Sequence, residues 1–195
     1  LSVEEYLALE ETSPVRHEYV AGAIYAMTGG TIRHDLVAGN VYAGLRAAAS
    51  GEACRVFLGG VKVRVADDKI YYPDVAVRCG PIDQRAVMTA DPCVVVEVTS
   101  PSTRRVDRSE KLDAYRAVPS LRAYLIVEQG ARVVERHWRD EDGPWRHATV
   151  TEGEVPIPCP ETALALDAIY EGIDLDPVDE APGRRPRRVR ERAAP

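Results

Sequence analysis

A carboxylate inside an apolar run asks for a chemical explanation. Glu97 lies in CVVVEV (93–98), a continuous hydrophobic stretch of the kind that forms a strand buried on both faces. A lone charge there costs several kcal/mol unless it is ion-paired or bound to a metal. An ion pair with one of the many arginines is the plainest way to satisfy it. A second carboxylate, Asp74 of YYPDVAV, stands where another strand begins, with 22 residues between the two. Alternation puts Asp74, Ala76 and Arg78 on one face of that strand and Val75 and Val77 on the other. Pro-Asp alone is a common turn dipeptide. Together, two hard oxygen donors from neighbouring strands can share one divalent cation, and they suit Mg²⁺ or Mn²⁺ better than a sulfur-seeking ion.

Other residues with reactive side chains are fewer. His34 precedes a helix, where it could touch a phosphate or carry a proton, although a helix-start histidine without a role is equally common. His17, His137 and His147 fall in Arg-rich strand segments and receive no assignment. Twenty-two of the 25 basic residues are Arg, so Lys62, Lys69 and Lys111 are the only lysines. The cysteines, Cys54, Cys79, Cys93 and Cys159, are 25, 14 and 66 positions apart, with no C-x-x-C pair and no histidine at ligand spacing. They read as small buried hydrophobes in a reducing compartment, not as a zinc site. Triad-hydrolase, P-loop and dinucleotide readings lack a motif, since G-x-S-x-G, G-x-x-x-x-G-K-[ST] and G-x-G-x-x-G are all missing.

The elements that position these residues follow from hydrophobic period and breakers. Ser2 and Glu5 form a capping box for a short helix ending near Thr12 to Pro14. HEYV, Ala21-Gly22 and AIYAM predict a hairpin. Leu36, Val37, Val41, Tyr42, Leu45 and Ala49 recur at helical steps over 35–49. CRVFL, VKVRVA, IYY and DVAVR are short strands, followed by a Pro/Asp/Gln-rich loop to Pro92. CVVVEV, a helix over 105–118 and the buried strand LRAYLIVE make a β-helix-β crossover. RVVERHW and PWRHATV close the sheet as an edge hairpin, and LALDAIYEG forms a last short helix.

With 195 residues, 45% hydrophobic and 29% charged, the chain fits one soluble domain and can bury a core. No stretch is long enough to span a bilayer and no signal peptide is visible, so a cytoplasmic protein is expected. The run RRPRRVRER (184–192) contributes +5 to a net charge of −6, so the rest carries −11. Phosphate must then be met by a local basic surface or by metal ions. The expected organisation is one domain over 1–176 and a disordered Arg-rich tail over 177–195, more a solvated run than a DNA-binding arm.

The segments HEYVAGAIYAM, GGTIRH, YYPDVAV, VVEVTSPST and DRSEKLDAYRAVPSLRAYLIVE, in this order, resemble the Uma-two family of the PD-(D/E)XK nuclease superfamily, and they span most of Ser2 to Leu175. The resemblance implies an α/β fold of restriction-endonuclease type, a mixed β-sheet flanked by helices, with N-terminal and C-terminal hairpins. One position departs from the superfamily pattern: the lysine two residues after the glutamate is Thr99 here. The Uma-like group instead has Asp-x-x-x-Lys in the next helix, matched by Asp107 and Lys111, which would share a helical face. The resemblance also implies an N-terminal acidic residue at the site, and Glu18 fits.

These readings together predict a divalent-metal-dependent endonuclease hydrolysing DNA phosphodiesters. Asp74 and Glu97 are the expected ligands with the Val98 carbonyl as a third, Lys111 the charge stabiliser, and Glu18 and His34 further site residues. A homodimer would suit cuts in both strands of a duplex. The alternative is a nuclease-fold module that no longer cleaves and binds DNA or a protein partner.

Overall fold

The computed structural model describes residues 1–141 and 143–175. Helix α1 (Val3–Thr12) leads into strands β1 (His17–Val20) and β2 (Ala23–Ala26), then α2 (Ile32–Ala48). Strands β3 (Cys54–Leu58), β4 (Lys62–Ala66), β5 (Lys69–Tyr71), β6 (Val75–Cys79), the two-residue β7 (Met88–Thr89) and β8 (Val94–Thr99) follow. Helices α3 (Arg104–Asp107) and α4 (Glu110–Arg116) carry the chain to β9 (Ala123–Glu128). Then come β10 (Val134–Trp138), β11 (Arg146–Val150), β12 (Glu154–Pro158), β13 (Glu161–Ala165) and α5 (Leu166–Ile169). The Arg-rich run expected to be disordered, 177–195, lies outside the described residues.

The fold is α/β, of restriction-endonuclease type, but among the described residues the strands form three sheets instead of one. The largest has the order β11-β10-β9-β8-β6-β3, antiparallel except for the parallel pair β8–β9. That pair is joined by the α3–α4 crossover, as parallel neighbours require. A second sheet has the order β2-β1-β5-β4-β7, and β12–β13 form a separate hairpin. This last pair was not expected: Pro156 and Pro158 in β12 lower its strand propensity, yet an edge strand tolerates proline.

The central sheet is covered on both faces, which is why β8 and β9 read as unbroken apolar runs. On one face Val37, Val41 and Leu45 of α2, with Leu166 and Ile169 of α5, pack on Val75, Val77, Val94, Val96 and Leu125. On the other, Tyr115 of α4 with Tyr71 and Val63 packs on Ala76, Val95, Tyr124 and Ile126. Each fully buried Val or Leu contributes roughly 1.5–3 kcal/mol. A third cluster, Tyr6, Tyr19 and Ile70, fastens α1 to the smaller sheet. The predicted capping box is present, with Ser2 Oγ accepting from the Glu5 amide and the Ser2 amide donating to the Glu5 carboxylate at 2.7 Å.

Two expectations change. The helix over 105–118 is interrupted between Asp107 and Glu110, so Asp107 ends one short helix and Lys111 belongs to the next. The break places Arg108 where its guanidinium pairs with Glu128 of β9 and Glu135 of β10, a long-range anchor invisible to local periodicity. The cysteines are not isolated hydrophobes: Cys54 is joined to Cys79 and Cys93 to Cys159. Among the described residues no helix is long and apolar enough to cross a membrane.

Candidate metal and phosphate site

The β6–β8 ladder pairs Val75 with Val96 and Val77 with Val94. Extending this register by one pair sets Asp74 opposite Glu97, and opposed residues of an antiparallel pair project to the same face. The next pair would set Pro73 opposite Val98. Pro73 has no N–H to give, so the ladder stops and the main-chain groups of Val98 are left at an open edge. Asp74 caps that edge: its Oδ2 accepts from the Val98 amide at 2.7 Å. The N–H and C=O of one strand residue point to the same edge, so the Val98 carbonyl is directed to the Asp74 side as well.

Glu97 is 5% exposed. Its Oε1 accepts from Lys111 Nζ at 3.0 Å and from the Tyr115 hydroxyl at 3.1 Å. The partner of Glu97 is therefore a lysine and not the arginine that composition favours. The Lys111 ammonium also lies 2.7 Å from Glu18 Oε1 and 3.9 Å from Asp107 Oδ1. The Glu18 contact is an ion pair without directional hydrogen-bond geometry. Lys111 Nζ is 5.4 Å from the centroid of the Tyr71 ring, whose hydroxyl donates to Glu110. The stem of Lys111 thus crosses from α4 over the sheet to reach the strand carboxylate.

Burial pushes the Glu97 carboxyl well above its ordinary range; Lys111 pulls it back, and Asp74, Asp107 and Glu18 push it up further. Asp107 is raised, chiefly by burial. Burial alone would depress Lys111, but Glu97, Glu18 and Asp107 overcome it and hold the ammonium protonated. His34 Nε2 lies 3.3 Å from Asp74 Oδ2. This contact raises the imidazole pKa against the opposing effect of burial, with the Val98 main chain contributing in the same direction. His34 lies in the first turn of α2 and not before the helix as expected, because the capping residue is Thr31, whose side chain accepts from the His34 amide.

Asp74, Glu97, the Val98 edge, Lys111, Glu18 and His34 are all brought to this one region. Asp107 joins them although the helix breaks beside it. Beside Asp74 a cavity of about 390 Å³ opens, lined by His34, Arg16, Tyr72 and Thr31 among others. Glu97 and Lys111 do not line it, so the cavity meets the cluster at Asp74 and His34. Tyr115 escaped the sequence reading; its spacing of four from Lys111 was the available signal, since such residues share a helix face. Tyr72 and Arg16 had no local signal.

The side chains gathered here offer mainly carboxylate oxygens. The carboxyl groups of Glu97, Glu18 and Asp107 gather round one ammonium, and Asp74, which acts on Glu97, carries the His34 imidazole on its other side. The protein contacts of Asp74 go to Oδ2 and those of Glu97 to Oε1, which leaves one oxygen on each carboxylate without a hydrogen-bond partner among the described residues. His17 instead pairs with Glu10 at 2.8 Å, away from this cluster.

Residues 3–168 match the model of the Uma2 family, described as "putative restriction endonuclease". Two proteins of Synechocystis sp., each described as uncharacterized, are similar to the chain. One is 32% identical over 176 residues, covering 89% of this chain and 93% of the relative. The other is 27% identical over 149 residues, covering 74% and 84%. The crystal structure of a protein from Anabaena variabilis, described as a "putative nuclease", aligns with a TM-score of 0.70 at 17% identity, covering 87% of this chain and 97% of that one. At that identity the likeness concerns the fold.

Proposed function

The chain belongs to the Uma2 family, and from that premise we propose that it is a divalent-metal-dependent endonuclease hydrolysing DNA phosphodiester bonds. The observation that carries the reading is the surplus of carboxylates, on one face of the central sheet, around a single buried lysine. Structural ion clusters tend towards neutrality, because an uncompensated buried charge is costly. This one sets four carboxyl groups against one ammonium and the His34 imidazole, beside an open cleft.

Asp74, Glu97 and the Val98 carbonyl would hold Mg²⁺ or Mn²⁺. Bound there, the ion would polarise the phosphoryl oxygen and lower the pKa of an attacking water. Lys111 supplies a fixed positive charge for the crowded phosphate of the transition state. Glu18 and Asp107 keep that ammonium protonated and in place. Asp74 holds the His34 ring at the mouth of the cleft, where a protonated imidazole can contact a phosphate oxygen or give a proton to the leaving oxygen. The acidic body then accepts DNA only where the cation and these cationic side chains offset its field. We further place the protein in the cytoplasm, with a homodimer as the arrangement that brings two clefts to opposite strands.

A plasmid-nicking assay with Mg²⁺ or Mn²⁺ tests the proposal. Wild type should convert supercoiled plasmid to nicked circles, and Asp74→Ala or Glu97→Gln should each abolish conversion. Cleavage that survives both substitutions refutes the assignment. Retention of DNA in a gel shift without any nicking would assign a binding module instead.

A further inference from the structure

Cys79, Cys93 and Cys159 meet at one place, and Cys54 adjoins them through its bond to Cys79. They come from the start of β3, the end of β6, the residue before β8 and the residue after β12. The spot lies at the end of β6 and β8 remote from Asp74 and Glu97, and on the opposite face, among Val56, Val77 and Val94. Cys54 and Cys79 stand directly across the β3–β6 pair and are joined, as are Cys93 and Cys159. Neither bond accounts for a third relation. Cys79 Sγ lies 3.6 Å from Cys93 Sγ, across the two pairs, and the sulfurs of Cys79, Cys93 and Cys159 all lie within 4.8 Å of one another.

Sulfurs held at about 2.3 Å around a tetrahedral zinc lie about 3.8 Å apart. The distance between the two pairs is thus the distance between ligands that share one ion. Cys54 and Cys93 are buried, Cys79 and Cys159 partly so, and the surroundings are aliphatic, which suits a structural zinc more than a substrate-binding one. In a reducing compartment, where disulfides are rare, the same four sulfurs are thiols available as thiolate ligands.

We propose that these four cysteines, when reduced, bind one Zn²⁺ as a closed structural site. It ties β3, β6, the entry to β8 and the β12–β13 hairpin together, and it is independent of the site around Asp74 and Glu97. Reduction by a phosphine breaks each S–S bond to give two S–H groups. The phosphine becomes its oxide, taking its oxygen from water, which also supplies the two protons. Binding then forms four Zn–S bonds and releases four protons to solvent.

The full chain, reduced with a phosphine and freed of excess reagent under anaerobic conditions, is titrated first with Co²⁺ and then with Zn²⁺. One Co²⁺ per chain should give intense thiolate-to-cobalt absorption, and one equivalent of Zn²⁺ should abolish it. Thiols open to a thiol reagent should fall from four per chain to none. Cys93→Ser should weaken Zn²⁺ binding by at least about 100-fold, beyond the 10–100-fold typical of losing an outer partner. Asp74→Ala should leave the titration unchanged, which separates this site from the proposed catalytic one. Absence of the cobalt absorption overturns the proposal, as do four thiols still reactive with Zn²⁺ present, disulfides that resist the phosphine in the folded chain, or loss of binding in Asp74→Ala. Precipitation on reduction that Zn²⁺ prevents supports it, and precipitation that Zn²⁺ does not prevent overturns it. Should Cys93→Ser fail to fold, the wild-type titration alone decides.

Discussion

Two buried polar centres share one face of the central sheet and are linked by a row of rings. Tyr71, Tyr115, Tyr124, His137 and His147 follow one another with centroid separations of 5.6, 4.9, 6.2 and 4.6 Å. At one end the ammonium of Lys111 is surrounded by carboxylates. At the other, His137 of β10 is 5% exposed, stacks on His147 of β11 and accepts at Nδ1 from Arg116 at 3.1 Å. A guanidinium can only donate, so the neutral ring carries its proton on Nε2, which has no partner among the described residues. Burial pushes this imidazole down to about 4, and His147 and Arg116 push in the same direction. The two centres solve burial in opposite ways: the lysine end brings opposite charges together, and the histidine end gives its charge up.

The sharpest way to break this contrast is to remove the lysine. Lys111→Met leaves Glu97, Glu18 and Asp107 facing one another without a counter-charge. In metal-free buffer at neutral pH the variant should lose about 3–5 kcal/mol of unfolding free energy, read from urea denaturation. Added Mn²⁺ should restore part of the loss while plasmid nicking stays absent. Stability equal to wild type would mean that the carboxylates are neutral or hydrated, and the two ends would then be alike.

The histidine end makes the complementary prediction. Between its ordinary value of 6.5 and about 4, the unfolded chain takes up a proton at His137 that the folded protein refuses. Stability from this residue is therefore complete above 6.5, falls as pH drops through that window, and levels off below about 4. Measured as the gap between wild type and His137→Phe, the change should be on the order of 2 kcal/mol between pH 7 and pH 4, with wild type losing ground. The comparison cancels the carboxylates common to both proteins. A gap that does not vary with pH would show that the ring is not held neutral by its surroundings.

How far each centre could be read from sequence follows the range of its determinants. Strands β8 and β9, helix α2 and both outer hairpins were legible because period, run length and turn residues are local. Asp74 and Glu97 were legible because a carboxylate in or beside an apolar strand is chemically conspicuous. The pairing of Glu97 with Lys111 was not, since it depends on where α4 lies over the sheet. The histidine end was illegible for a similar reason: His137 and His147 meet only through the β10–β11 register. Cysteine separations of 25, 14 and 66 likewise conceal a cluster that exists because β3 pairs with β6 and β12 returns to the start of β8.

The smallest prediction sharpens the lysine end from within. The Tyr115 hydroxyl donates to the Glu97 oxygen that also receives Lys111, and both partners are buried. Tyr115→Phe keeps the ring contacts with Tyr71 and Tyr124 and removes one hydrogen bond to the Glu97 carboxyl, at a cost of about 1.5 kcal/mol if that group is ionised. If Glu97 is charged because Lys111 is beside it, the two substitutions must couple. In Lys111→Met the carboxyl is more readily protonated and the hydroxyl is worth less, so the double variant should be more stable than additivity predicts by about 1 kcal/mol. Strict additivity in that cycle would mean that the hydroxyl does not sense the state of Glu97, and that the lysine is not what keeps the carboxylate ionised.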